Sequence, residues 1–150
     1  MNLADLFSDE LRQEFAERNI DLGRTILIEI PNFGVTYPKY IVIVAENENE
    51  FAIAYVVINS EINNFIFPTP YLKSLHVPID RASHDFLDHD SFINCTEIRE
   101  FTKQEVIDFI SAHPERVVGN ITEGILTAVH ATLHSATTIP KIIKVRFGFA

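Results

Sequence analysis

The sequence predicts a single α+β domain, and three observations predict it. Its 150 residues, 47% of them hydrophobic and 22% charged, suit one compact core rather than two. Several central runs repeat apolar residues at every second position, as strands do. Toward both ends the spacing changes to three and four, as in amphipathic helices. No repeat, low-complexity stretch or linker divides residues 1–150, which read as five or six short strands flanked by helices.

Leu3, Leu6, Phe7, Leu11 and Phe15 form one apolar stripe within 3–18, so residues 1–20 read as an added N-terminal helix closed by Asn19 and Gly23. Arg24 to Ile30 then alternates, placing Ile26, Ile28 and Ile30 on one face of a strand. Pro31, Asn32, Gly34 and Pro38 predict a loop. Tyr40 to Ala45 and Phe51 to Ile58 predict a hairpin across the polar run 46–50. The next stretch, broken by Asn63, Asn64, Pro68 and Pro70, carries Phe65, Ile66, Phe67 and Tyr71, which either cover the sheet or face a partner. Strands are expected at Lys73 to Pro78 and Ser91 to Ile93, with 97–101 continuing the sheet. Thr102 and Glu105 form a capping-box pattern ahead of Val106, Phe109 and Ile110, and His113-Pro114 ends that helix. Asn120 and Glu123 repeat the pattern ahead of Ile121, Ile125, Val129 and Leu133. After Pro140, the alternation of Lys141 to Phe147 predicts a terminal strand within the tail 137–150.

Twenty-one acidic side chains against twelve basic ones leave a formal charge of −9, which disfavours a broad polyanion-binding surface but permits a local cationic groove within a Debye length of about 8 Å. The apolar runs are too short for a membrane helix, which needs about 20 residues, and no membrane partner is expected. Asp5, Asp9 and Glu10 stand where a secretory signal would be cationic and then apolar, and Cys95 is alone, so a reducing cytoplasmic setting is expected. Phosphate loops, nucleophile elbows, zinc-hydrolase helices and paired CxxC motifs are all missing. His84, Asp85, Asp88, His89 and Asp90 concentrate metal-capable groups without a ligand spacing, and the plainer reading is a solvated loop. His130 and His134 share a helix face but lack a third ligand; an exposed or interface pair is the simpler expectation. Cys95 beside a strand reads as a buried inert thiol. No cofactor or metal is expected.

What remains is metal-free acid/base chemistry on a phosphodiester, for which Lys39, Ser60, His76, Arg81 and Arg99 are the polar groups near strand ends. Here the order of short motifs is informative. His76-Val77-Pro78-Ile79-Asp80, then Asp90-Ser91-Phe92-Ile93-Asn94-Cys95-Thr96-Glu97-Ile98-Arg99, then Thr102-Lys103-Gln104, resembles the H-V-x-I run, D-S-x-I strand and E-Q-I-R segment of the MazF/PemK toxin endoribonucleases. Gly23 to Ile30 and Lys39 to Asn47 resemble that family's first two strands, and the helix from Ile121 corresponds in place. The resemblance spans residues 23–136. It implies an SH3-like small β-barrel with flanking helices, a homodimer, metal-independent cleavage of single-stranded RNA and neutralisation by an antitoxin protein.

By the same resemblance, Lys39 occupies the place of the family's catalytic Arg, keeping the charge without the bidentate fork. Asn59 and Ser60 stand where a catalytic Thr or Ser closes the next strand, and would position the 2′-hydroxyl. His76 is the candidate acid/base group. Asn94 and Thr96 replace the Arg and Asp that another branch uses. The alternative is a catalytically degenerate barrel that binds a protein through Phe65, Ile66, Phe67 and Tyr71.

Overall fold

The computed structural model describes residues 8–32 and 35–150, with side chains described outside 30–37. Helix α1 (Asp9–Arg18) starts where the Ser8 hydroxyl accepts from the Leu11 amide and ends at Asn19. Leu3, Leu6 and Phe7 of the expected apolar stripe lie outside the described residues. Strands β1 (Arg24–Asn32), β2 (Val35–Asn47) and β3 (Ala52–Asn59) follow as antiparallel neighbours. A short helix α2 (Pro70–Ser74) leads to β4 (His76–Ile79) and the long β5 (Ser91–Thr102). Then come α3 (Lys103–Ala112), a 3-10 turn (Pro114–Arg116), β6 (Val117–Asn120), α4 (Glu123–Ser135) and α5 (Lys141–Phe147).

The six strands form one antiparallel sheet in the order β4-β5-β3-β2-β1-β6, curled into a half-barrel. Register shifts in the β1/β6, β2/β3 and β3/β5 ladders supply the bends, because each extra residue kinks its strand and increases the local twist. On one face Val42, Val44, Val56, Ile58 and Ile93 pack with Val129 and Leu133 of α4 and with Phe147 and Phe149 of the C-terminus. On the other, Ile26, Ile41, Ile43, Ile53 and Tyr55 pack under Ala16 of α1 and Val106, Ile107 and Ile110 of α3. The alternation that predicted the strands is thus a division between two cores.

Four local expectations are corrected. Pro31, Asn32 and Pro38 lie in strands, not in a loop: Pro31 and Pro38 fall where β1 and β2 pair only with each other, so their missing N–H groups cost no ladder bond. Gly34 lies outside the described residues. Residues 70–74 are helical, since Thr69 caps the turn through its hydroxyl and Pro70 suits its first position, and the strand begins only at His76. The cap of α4 is Thr122 rather than Asn120, whose backbone is held in β6 opposite Arg24. Lys141 to Phe147 is a helix, entered at Pro140 and left at Gly148 with φ 82°; Ile143 and Phe147 turn inward four residues apart, while Ile142 and Val145 are exposed.

The segment between β4 and β5 spans the open side of the half-barrel. His84 is buried; its Nδ1 donates to the Asp80 carbonyl at 2.8 Å and its Nε2 accepts from the Thr122 amide at 3.1 Å. The Tyr40 hydroxyl donates to the Phe86 carbonyl, also at 2.8 Å. Phe86 lies against Gly119, where a Cβ would stand 3.3 Å from the ring. The ring of His84 therefore ties the end of β4 to the start of α4. Replacing His84 with Ala removes two part-buried hydrogen bonds and leaves a void where the buried ring stood, and should cost about 2–4 kcal/mol in urea unfolding of the purified protein. A change below 0.5 kcal/mol would refute this bracing role.

Candidate functional site

Lys39 lies two residues from Ile41 on β2, and Asn59 two residues from Val57 on β3; Ile41 pairs with Val57, so both side chains share the face that carries α1 and α3. The Lys39 ammonium donates to Asn59 Oδ1 at 3.2 Å. An amide oxygen orients the cation without neutralising it. Among the described residues Lys39 has no ion-pair partner. Ser60, the next residue after β3, is exposed. Three of the four expected site residues are therefore contiguous at one end of the sheet.

His76 is set apart from them. It pairs with Asn94, which pairs in turn with Val57, so it shares the face but lies two strands from β3. The side chain is buried, with Nδ1 donating to the Leu72 carbonyl at 3.0 Å. The Phe67 ring stands edge-on against it, 4.4 Å between centroids. Its Nε2 is buried with no partner. Desolvation pushes its pKa below the usual imidazole value, partly opposed by backbone hydrogen bonding. The ring is a neutral base, but Phe67 and the protein surface enclose it.

Among the other polar groups near strand ends, Arg81 is held by its loop, Nε donating to the Leu87 carbonyl and the backbone amide to Asp90. Arg99 pairs with Glu97 at 3.0 Å. Asn94 Oδ1 accepts from both the amide and the hydroxyl of Thr96, bracing the irregularity in β5. A groove of about 360 Å³ begins at Ile28, the cross-strand neighbour of Lys39, and runs between the sheet and α3. Its wall is apolar and its rim carries Glu105 and Asp108, which does not suit a phosphate.

Three of the metal-capable histidines, His84, His130 and His134, have structural partners. His84 is neither solvated nor free to ligate, and among the described residues no three His, Cys, Asp or Glu side chains converge as a metal site. His130 Nε2 donates to the Val44 carbonyl and His134 Nδ1 to the Phe149 carbonyl, both at 2.8 Å, so this pair fastens α4 to β2 and to the C-terminus. Cys95 is buried, and desolvation raises its thiol pKa to about 12. Of the apolar residues in the loop after β3, Phe65 stands furthest out. It is 96% exposed, and its backbone is fixed by Asn63, whose Oδ1 accepts from the amides of Phe65 at 2.8 Å and Ile66 at 3.2 Å. Coverage of the sheet by this part of the loop is overturned, although Phe67 does cover His76. An Asn two residues before an aromatic was the available signal for a formed turn. No helix among the described residues is long and apolar enough to cross a membrane.

Compared with known proteins, the chain matches no family model and no curated protein.

Two outcomes follow from the buried groups. Because the folded state takes up a proton at His76 less readily than the unfolded chain, stability should fall as pH drops below about 6.5 and level off beneath the lowered folded value. Urea midpoints at pH 7.5 and pH 5 should then decline more for the wild type than for His76→Gln; equal declines would contradict it. Cys95 should resist a thiol reagent at pH 8 in the native protein and react at once in denaturant, and rapid native labelling would show that the thiol is not enclosed.

Proposed function

We propose that the protein is a toxin-type, metal-independent endoribonuclease of MazF/PemK character, acting on single-stranded RNA from an SH3-like small barrel. The observation that carries this reading is the Lys39 ammonium held beside Asn59 at the end of two neighbouring strands, with Ser60 exposed next to it. In the proposed reaction the 2′-hydroxyl oxygen attacks the adjacent phosphorus and the bond to the 5′-oxygen breaks. The products are a 2′,3′-cyclic phosphate and a 5′-hydroxyl, so one proton moves overall from the attacking to the leaving oxygen. Lys39 stabilises the charge that gathers on the phosphoryl oxygens, and Asn59 or Ser60 orients the 2′-hydroxyl. His76 has no assigned step while Phe67 covers it; the proton passes through water, and turnover is expected to be slow. The same reading implies a homodimer, an antitoxin protein as partner and a cytoplasmic setting.

A second reading is favoured by two observations, the enclosure of His76 and the exposure of Phe65 and Ile66: a degenerate barrel that recognises a protein through this loop. Incubating the protein with a mixed-sequence single-stranded RNA in EDTA separates the two. The ribonuclease reading expects fragments with cyclic-phosphate ends, reduced about 100-fold or more in Lys39→Ala, a loss like that of one transition-state charge donor. Fragments that persist unchanged in Lys39→Ala, or no fragments from the wild type, would overturn it.

A further inference from the structure

We propose that Phe65 is a stacking platform for an unpaired base of the nucleic acid whose phosphate Lys39 holds. This rests on the proposed RNA-binding role of Lys39 and adds to it the means by which single strands are selected. The loop that carries Phe65 leaves directly from Asn59, the partner of the Lys39 ammonium. It then crosses to β4, where Phe67 packs on His76. His76, Asn94 and Val57 form one register row on the Lys39 face, so the loop is anchored on the same side of the sheet as the cation. Two strand spacings, about 10 Å, and a two-residue offset along β3, about 7 Å, put Asn59 about 12 Å from His76, within reach of a short single-stranded segment.

Phe65 is 96% exposed, yet its backbone is not loose. Asn63 accepts from the Phe65 and Ile66 amides through its side chain, and from the Phe67 amide at 2.8 Å through its carbonyl. With its backbone already fixed, an exposed phenyl ring has only two side-chain torsions to order when a flat partner covers it. A base offers such a surface whatever its identity, and only an unpaired base can present it. The cation nearby favours a nucleic acid over an apolar peptide, since Lys39 has an amide and no carboxylate as its described partner.

The test is fluorescence polarisation with a labelled single-stranded 2′-O-methyl oligoribonucleotide, which lacks the attacking hydroxyl and cannot be cut, using wild type, Phe65→Leu, Phe65→Tyr and Lys39→Ala. Phe65→Leu keeps an apolar side chain but removes the π-face and should weaken binding about tenfold, as loss of one stacked base does, whereas Phe65→Tyr should bind like wild type. Neither should change the salt slope. Lys39→Ala should lower that slope by about one phosphate contact. Equal binding by Phe65→Leu and wild type, with Lys39→Ala still weakened, would overturn the stacking role and leave the Lys39 reading standing. No RNA binding by wild type would overturn both. If Phe65→Leu instead left RNA binding intact and abolished capture of a protein, the loop would be a protein anchor and the proposal would fail.

Discussion

The fold depends on closing a curled sheet whose two edge strands, β4 and β6, do not pair with each other. The segment between β4 and β5 makes that closure through the imidazole of His84, which donates at one nitrogen to the Asp80 carbonyl and accepts at the other from the Thr122 amide. Few side chains can do both at opposite ends of a rigid ring. Phe86 extends the tie by lying on Gly119 of β6, and its carbonyl accepts from Tyr40 of β2. An apolar side chain at 84 could fill the space but would remove both hydrogen bonds, and with them the link between the end of β4 and the start of α4. Within 80–90 it is His84 that serves closure.

Closure determines what the opposite face can do. With α4, α5 and the 80–90 segment assigned to the core inside the curl, α1 and α3 cover the β1, β2 and β3 part of the other face. The row His76, Asn94 and Val57 and the pair Lys39 and Asn59 lie toward its remaining side, where the loop after β3 crosses. A cation held by a neutral amide and a buried imidazole beneath an aromatic ring therefore belong to one face. They were assembled by topology, since the residues are scattered from position 39 to position 76.

Much of the secondary structure was legible because local physics decided it. The Thr102 and Glu105 capping box is formed reciprocally, and the alternation through β1, β2 and β3 survives as a division between two cores. The failures have local causes as well. In 141–147 the apolar positions fit a strand or a helix equally well over so few residues, and the decisive signals were Pro140 before the segment and Gly148 after it. Prolines 31 and 38 are compatible with strands because only one side of each is paired there, a condition visible only once the register is known. The resemblance placed Lys39 and Asn59 at the ends of two neighbouring strands, and their contact emerges only once the register is known. The burial of His76 under Phe67 was not expected, because nothing local in 63–76 fixes how far the loop folds back.

The net charge of −9 and a role on RNA are compatible only if charge is organised locally. Glu29 lies beside Ile28, but the alternation of β1 sends the two side chains to opposite faces, and Ile28 is the cross-strand neighbour of Lys39. Three carboxylates are engaged elsewhere: Glu46 with Lys103, and Glu50 and Glu100 with Arg146 at the C-terminal end. A single ammonium on an acidic protein cannot draw RNA from a distance, and at physiological salt, distant carboxylates are screened over about 8 Å. Capture must then rely on short-range contacts, which places the burden on the groups around Lys39. A loop whose most exposed residue is aromatic and backed by a fixed turn is suited to that task, whereas added cations would only lengthen the reach of attraction.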